Sequence, residues 1–221
     1  MQQRPLEELE GKIGYQFRDK FLLRQALTHS SFANEQKINK QEDYERLEFL
    51  GDAVLELVSS EFLFQEHQQM PEGKLTRMRA SIVCEQALAY CAKQFGLEAY
   101  ILLGVGEERT GGRTKDSIVS DVMEAIIGAI YLDSGMEPAA NFIHRFVLSD
   151  LEHKKLFYDA KTILQEVVQQ KNDGKLHYEL IRESGPDHDK LFVVEARIDE
   201  RKIGEGMGKT KKAAEQQAAY E

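Results

Sequence analysis

The sequence predicts two domains: an all-α N-terminal domain, followed by a small α+β domain with the element order α-β-β-β-α. Apolar residues recur with the 3.6-residue period of helices up to about residue 153, whereas residues 177–182 and 191–198 alternate as strands do. The charge divides at the same place, because residues 1–153 hold 16 basic and 25 acidic residues while residues 154–221 hold 13 of each. We therefore assign residues 1–153 to the first domain, 154–159 to a linker and 160–221 to the second domain.

The spacing of apolar residues predicts the helices of the first domain. Six helices are expected, over residues 6–13, 21–26, 43–61, 74–95, 117–133 and 138–152. In the third of these, one face is apolar and consists of Leu47, Leu50, Val54 and Leu57. Gly135 is placed to end the fifth helix. The polar residues 30–40 predict a loop, and the charged residues 107–113, which include two glycines, predict a flexible connection.

The second domain is predicted to begin and end with a helix. The expected elements are a helix over residues 161–171, strands over 177–182, 191–198 and 201–207, and a helix over 210–220. Thr210 is suited to cap the last helix, because its hydroxyl can accept a hydrogen bond from a backbone N–H. Gly206 and Gly208 predict a turn just before it.

The composition excludes several classes of protein. A hydrophobic fraction of 42% with 30% charged residues is typical of globular chains, not of disordered or membrane proteins. The apolar stretch 126–132 is too short to span a bilayer, and the first residues lack the apolar core of a signal peptide. Cys84 and Cys91 are expected to be buried thiols and not a disulfide or half of a zinc site. We therefore expect a cytoplasmic protein without a membrane partner.

The long helix predicted over residues 43–61 has an acidic face. At 100° per residue its four carboxylates fall within about 80° of one another, namely Glu45, Glu48, Asp52 and Glu56. Asp121 and Glu124 likewise share a face of the helix over 117–133. No lysine interrupts the first group, although like charges four residues apart destabilise a helix by about 0.2–0.5 kcal/mol per pair. These faces are either ordinary solvated surfaces or ligands of a cation that offsets their repulsion.

A cation held by these side chains would be magnesium and not zinc. Carboxylate oxygens and water are the ligands that Mg²⁺ prefers. The chain has no His-x-x-x-His pair and no cysteine cluster that would suit zinc. Mg²⁺ held in this way can activate a water and neutralise the charge that develops on a phosphate. The carboxylates therefore suggest hydrolysis of phosphate esters, in a nucleic acid or in a small molecule.

Four stretches of the chain resemble the ribonuclease III family. Residues 45–55 (ERLEFLGDAVL) are similar to the long signature motif of that family. Residues 27–31 (LTHSS), 72–79 (EGKLTRMR) and 121–125 (DVMEA) resemble other family stretches in the expected order. The resemblance covers essentially the whole chain. It implies a helical endonuclease domain followed by a double-stranded-RNA-binding domain.

The resemblance implies roles for four carboxylates. Glu48, Asp121 and Glu124 match the positions that hold the metal, which would be Mg²⁺ with Mn²⁺ as a substitute. Asp52 and Glu124 match the residues that orient or activate the attacking water. The implied products have a 5′-phosphate, a 3′-hydroxyl and short 3′ overhangs. Processing of rRNA precursors, and of mRNA and tRNA, is what the family suggests.

Other residues near these carboxylates receive weaker expectations. Glu45 and Glu72 match acidic positions at the edge of the cleft, near the substrate or a second metal. Glu56 matches no family role and is expected to be solvated. His29 is expected to be buried or to cap a helix, and Arg79 to be either solvated or in contact with a phosphate.

Phe49 lies among the carboxylates on the helical wheel, where a lone soluble helix would not place it. It is either a core residue or, as the resemblance implies, an anchor that inserts into a second subunit of a homodimer. In the second reading, Gly51 would allow the partner to approach closely. A twofold dimer would present two equivalent sites, one for each strand of the duplex.

The second domain resembles a double-stranded-RNA-binding domain. By this resemblance the residues that contact RNA are Thr162, Gln165, Glu166, His188, Lys209, Lys211 and Lys212. The lysines would meet phosphates at a helix N-terminus, where amide donors and the helix dipole favour anions. A short lysine cluster is otherwise a solvated surface. Domains of this kind recognise A-form shape, 2′-hydroxyls and phosphates more than sequence.

Two other functions remain to be distinguished from a ribonuclease. A double-stranded-RNA binder that does not cleave would not need all four carboxylates, yet all four are present. A metal hydrolase acting on small phosphoesters would leave the C-terminal RNA module without a purpose.

Overall fold

The computed structural model describes residues 5–36, 42–149, 151, 160–171, 173–185, 190–208 and 210–221. The chain forms two compact units, residues 1–149 and residues 150–221. The first is helical and the second has the order α-β-β-β-α, so the predicted fold class is confirmed. The predicted linker 154–159 lies outside the described residues.

The first unit is a helical domain built around one buried helix. Its helices are α1 (Leu6–Ile13), α2 (Lys20–Ala26), α3 (Ser30–Glu35), α4 (Glu45–Glu66), α5 (Glu72–Val83), α6 (Glu85–Gln94), α7 (Val105–Arg109), α8 (Asp116–Ser134) and α9 (Met136–Ile143). Short 3-10 turns lie at Leu97–Tyr100 and Gly112–Thr114, and a π-helical turn at His144–Leu148 follows α9. The central helix is α8, which packs against α2, α4, α6 and α9. As predicted, α8 stops at Gly135, whose φ of 86° favours glycine.

Three of the predicted elements were wrong in kind, and the helix expected over 43–61 extends to Glu66. Part of the loop expected over residues 30–40 is the helix α3, which His29 caps by accepting a hydrogen bond from the Ser31 amide at 3.1 Å. The helix expected over 74–95 is two helices, because the backbone is extended at Cys84, with ψ 157°. The helix expected over 138–152 gives way to the π-helical turn, and the backbone is extended at Ser149.

The connection predicted to be flexible, residues 107–113, is held by Arg113. Its guanidinium pairs with the Glu108 carboxylate, with Nε 2.9 Å from Oε1. It also donates to the backbone carbonyls of Glu98 and Ile101, at 2.7 and 2.9 Å. A single arginine thus ties α7 and the preceding 3-10 turn to the segment that begins α8. The glycines in this segment suggested flexibility, but long-range side-chain contacts fix it.

The two longest helices, α4 and α8, cross in backbone contact at a pair of glycines. A Cβ on Gly51 would lie 1.8 Å from the carbonyl oxygen of Glu124. A Cβ on Gly128 would lie 2.2 Å from the carbonyl oxygen of Leu47. Neither site has room for a side chain, so only glycine permits this crossing. The close approach expected at Gly51 therefore takes place within the protomer, against α8, which corrects its assignment to a subunit interface.

The second unit packs two helices against a three-stranded antiparallel sheet. Its elements are α10 (Ala160–Lys171), β1 (Leu176–Ser184), β2 (Leu191–Ile198), β3 (Arg201–Gly208) and α11 (Lys211–Tyr220), with the strand order β1-β2-β3. The core is formed by Val194 and Ala196 of β2 with Ala214 and Ala218 of α11. Thr210 caps α11 as predicted, accepting from the Ala213 amide at 3.1 Å.

The glycines before α11 do not form the predicted turn. Gly206 and Gly208 belong to β3, and a Cβ on Gly206 would lie 2.2 Å from the amide nitrogen of Ala218. They are needed because α11 lies directly against this strand. In the part of the chain that the structure describes, no helix is both long enough and apolar enough to cross a membrane.

The crossing of α4 and α8 can be tested by adding one methyl group. Gly51→Ala should lower the free energy of unfolding by at least about 1–3 kcal/mol, because the new Cβ forces the two helices apart. Chemical denaturation measures this loss. Gly73→Ala in α5 is the matched control, since nothing lies within 4 Å of its Cβ position. Equal stability of Gly51→Ala and the wild type would show that the crossing is looser than described.

Candidate metal centre and nucleic-acid interface

Three carboxylates from α4 and α8 converge in the first unit. Glu48, Asp121 and Glu124 each offer an oxygen, and these oxygens lie within 4.8 Å of one another. This is the one such group with metal-ligand spacing among the described residues. Glu48 is three residues before Gly51, and Glu124 supplies the carbonyl that Gly51 contacts. The glycine crossing therefore brings the two acidic faces together.

Burial and the charges of neighbouring carboxylates raise the pKa values of Glu48 and Glu124, and burial raises that of Asp121. Burial, and then the charges of Asp121, Glu45 and Asp52, raise the pKa of Glu48 to about 7. Burial, and then the charges of Asp52, Glu48 and Asp121, raise the pKa of Glu124 to about 8. The pKa of Asp121 is also raised, mainly by burial. A divalent cation among them would stabilise the ionised forms, because it supplies the missing positive charge.

Asp52 and Glu45 lie beside this group, as the helical wheel predicts. Both are exposed, and both contribute to the raised pKa of Glu48. The structure thus brings together the four carboxylates expected to do the chemistry, with Glu45 at the margin. Glu72, the other expected margin residue, is exposed at the start of α5 and accepts a hydrogen bond from the Thr76 hydroxyl at 2.8 Å. Among the described residues, Glu72 is not part of the group formed by Glu48, Asp121 and Glu124.

Glu56 is not simply solvated as expected. Its carboxylate is 3.2 Å from the Arg79 guanidinium, which also donates to the Ser60 hydroxyl at 2.7 Å. The pair joins α5 to α4, one helical turn beyond Asp52. Arg79 is therefore engaged within the protein.

An exposed apolar stripe runs along α4. The side chains of Phe49, Leu57 and Phe64 are 81%, 56% and 73% exposed. Their spacing of eight and seven residues places them on one side of the helix. The exposure of Phe49 excludes a core position within the protomer. Leu57 was expected in the core, but it lies at the border of the apolar face and is solvent-exposed instead.

The sequence reasoning missed Tyr44. This residue precedes α4, is 5% exposed, and its hydroxyl donates a hydrogen bond to Asp121 Oδ2 at 3.1 Å. Burial raises the pKa of its phenol well above the usual range, so the group stays a donor. Its position four residues before Glu48 was the available signal, because residues four apart share a helical face.

In the second unit, the expected RNA contacts that can be described are all exposed. Thr162, Gln165 and Glu166 lie on α10, and Lys211 and Lys212 open α11. The N-terminal turn of α11 contains no acidic residue that would neutralise the lysines. His188 and Lys209 lie outside the described residues. The helices α10 and α11 pack against each other. The polar side chains of α10 and the lysines at the start of α11 therefore belong to one packed unit.

Family models match both units. Residues 19–151 match a model described as ribonuclease-III-like, and residues 160–221 match a model of the double-stranded RNA binding motif. These two matches cover most of the chain. They correspond to the helical unit with the carboxylates and to the α-β-β-β-α unit, respectively.

The chain is also similar to whole proteins and to solved structures. It is 47% identical over 220 residues to Ribonuclease 3 of Shouchella clausii, with 99% of this chain and 85% of that protein covered. It is 48% identical over 219 residues to Ribonuclease 3 of Caldanaerobacter subterraneus, with 98% and 96% covered. The nuclease domain of ribonuclease III from Campylobacter jejuni superimposes with a TM-score of 0.61 at 46% identity, covering 65% of this chain and 96% of that one.

The raised pKa values predict that the metal-free protein loses stability as pH rises. Between about pH 5 and pH 8 the folded state binds more protons at Glu48 and Glu124 than the unfolded chain does, so stability falls as these protons leave. Thermal melting in the presence of a chelator measures this fall. Glu124→Gln should flatten it, whereas Glu61→Gln, an exposed position on α4, should not. The same slope in Glu124→Gln and the wild type would contradict a raised pKa at Glu124.

Proposed function

This chain belongs to the ribonuclease III family of endoribonucleases that act on double-stranded RNA, and we propose that it hydrolyses the duplex with Mg²⁺ bound by Glu48, Asp121 and Glu124. Mn²⁺ would serve as a substitute. The observation that supports the metal is the convergence of three half-buried carboxylates with raised pKa values. Such a group suits a hard cation with oxygen ligands. A protein that only bound RNA would have no use for carboxylates held so close that they repel one another.

The carboxylates would have different roles in hydrolysis. A bound Mg²⁺ would neutralise the phosphate charge and lower the pKa of a bound water. Glu124, as a metal ligand, and Asp52, whose charge acts on both Glu48 and Glu124, would orient or activate the attacking water. Glu45 and Glu72 would line the margin of the cleft, near the substrate or a second cation. The products we propose have a 5′-phosphate and a 3′-hydroxyl, because water attacks the phosphorus and the 3′ oxygen leaves.

The second unit would hold the duplex by its shape and backbone. Thr162, Gln165 and Glu166 on α10 offer hydrogen bonds suited to 2′-hydroxyls and base edges of a minor groove. Lys211 and Lys212 open α11, where the free amide groups and the helix dipole add to their attraction for phosphates. We propose the same groove and phosphate contacts for His188 and Lys209.

We further propose that the protein acts as a homodimer through the stripe of Phe49, Leu57 and Phe64. A phenylalanine 81% exposed to water is costly to leave uncovered, and its burial in a partner would favour association. The Campylobacter jejuni nuclease-domain structure is described as flexible in a region involved in dimer formation. Two sites in a dimer would cut both strands and leave short 3′ overhangs. Precursors of rRNA, mRNA and tRNA contain the duplexes that such an enzyme would process.

The division between chemistry and binding is tested at Glu124. Glu124→Gln should reduce the rate of duplex cleavage by about 10²–10⁴-fold while leaving duplex affinity nearly unchanged, because RNA is held mainly by the second unit. Cleavage of a labelled duplex with Mg²⁺, and filter binding of the same duplex, measure the two quantities. Glu61→Gln on α4 is the control and should cleave normally. Equal loss of cleavage and binding would refute the role of Glu124.

The phosphate contacts are tested by the salt dependence of binding. Lys211→Ala with Lys212→Ala should weaken duplex affinity and reduce the slope of log K against log salt by about 1–2. Arg201→Ala with Lys202→Ala is the matched control, because these adjacent cations pair with Asp173, Glu195 and Glu205. A slope unchanged in the α11 double variant would remove these lysines from the interface.

The dimer is tested at Phe49. Phe49→Ala should weaken association by about 2 kcal/mol or more, as expected when a buried aromatic anchor is lost. Sedimentation equilibrium measures the dimer dissociation constant. Val105→Ala, at another exposed apolar residue of the first unit, should leave that constant unchanged. A Phe49→Ala protein that dimerises as tightly as the wild type would place the interface elsewhere.

A further inference from the structure

Tyr44 joins three parts of the first unit at the candidate metal centre. Its backbone amide donates to the carbonyl of Thr28 at 2.9 Å, and its ring lies 5.6 Å from the ring of His29. Its hydroxyl reaches Asp121 Oδ2 on α8, while the residue itself precedes the first turn of α4. Tyr44 therefore contacts the segment 27–31, α4 and α8 at once.

The segment 27–31 contributes no carboxylate to the site, but its backbone holds Tyr44 in position. The Leu102 amide donates to the Leu27 carbonyl at 2.8 Å, and the His29 amide donates to the Leu102 carbonyl at 3.0 Å. The Thr28 hydroxyl donates to the carbonyl of Arg24 at 2.7 Å. These bonds hold the backbone carbonyl that receives the Tyr44 amide. The segment resembles a family stretch, but that resemblance implied no role for it. Its hydrogen bonds indicate that it supports Tyr44.

We propose that Tyr44 is a positioning residue, which orients the carboxylate of Asp121 for cation binding through its hydroxyl. The inference rests on the proposed metal centre. A carboxylate on a short side chain can rotate, and a free carboxylate would spend only part of its time with an oxygen directed at those of Glu48 and Glu124. The hydrogen bond to Oδ2 restricts that rotation, so less order has to be imposed when the cation arrives. Partners of this kind behind metal ligands contribute about 10–100-fold to metal affinity.

The chain contains a matched control in Tyr15. Its hydroxyl also donates to an aspartate of α8, in this case Asp133 at the other end of the helix. Tyr15→Phe and Tyr44→Phe therefore each remove one phenol-to-carboxylate hydrogen bond from the same helix and keep the ring, and Tyr15→Phe also removes the contact with the Ser134 hydroxyl at 2.6 Å. A loss that comes only from weakened packing of α8 would appear in both variants. A loss of cation orientation would appear only in Tyr44→Phe.

The experiment is a calorimetric titration of the full-length protein with MnCl₂, together with thermal melting in a chelator. Tyr44→Phe should bind Mn²⁺ about 10-fold more weakly than the wild type, while Tyr15→Phe binds normally. Cleavage of duplex RNA by Tyr44→Phe should recover as Mg²⁺ is raised, because the ligands themselves remain. Duplex affinity should not change.

Two results would overturn the inference. One is wild-type Mn²⁺ affinity in Tyr44→Phe. The other is weakened Mn²⁺ binding to the same degree in Tyr15→Phe, which would make the effect one of helix packing. If instead the wild type binds no Mn²⁺ and Glu124→Gln makes no difference to that titration, the proposed metal centre itself fails, and the role of Tyr44 fails with it.

Discussion

The contact between the backbones of α4 and α8 is the constraint on which the site depends. Gly51 and Gly128 lie where a Cβ would meet a carbonyl oxygen at about 2 Å, at 1.8 and 2.2 Å respectively. Helices with side chains at a crossing are usually separated by about 8–10 Å between axes, and glycine permits a closer approach. The carboxylates project from the two helices beside this contact. Their oxygens can lie within reach of one cation because the helices are so close.

The fold supports an arrangement that electrostatics opposes. Glu48 and Glu124 have raised pKa values because they are partly buried and lie near other carboxylates. The opposing contribution comes from packing, since α8 is buried along most of its length and Arg113 fixes the segment that precedes it. This packing holds the three carboxyl groups close together when no cation is bound. When a cation binds, protons are released, so metal affinity should increase with pH.

The sequence predicted the elements that follow from periodicity. The acidic faces of α4 and α8 were visible in the spacing of Glu48, Asp52, Asp121 and Glu124, and the strands of the second unit in alternation. What it could not predict depends on contacts between distant residues. The connection 107–113, for example, is ordered by Arg113, which donates to the backbone carbonyls of Glu98 and Ile101 in the preceding segment.

Three features of the site itself also required the structure. Gly51 was correctly singled out as a place of close approach, but its position in the helix does not reveal whether α8 or a second subunit approaches it. Gly128 went unnoticed because glycine within an apolar helix has no pattern of its own. Tyr44 is four residues before Glu48, but only the structure shows that its hydroxyl lies beside Asp121. The interpretation of Phe49 as a surface anchor, by contrast, agrees with its 81% exposure.

The most direct measurement is anomalous diffraction from a crystal grown with millimolar Mn²⁺. The account predicts a peak among the oxygens of Glu48, Asp121 and Glu124, at about 2.1–2.2 Å from each ligand atom, as expected for a small divalent cation with oxygen ligands. A crystal of the Gly51→Ala variant, grown under the same conditions, should show a weaker peak or none. A fully occupied Mn²⁺ elsewhere in the first unit, with these three carboxylates free of it, would contradict the account.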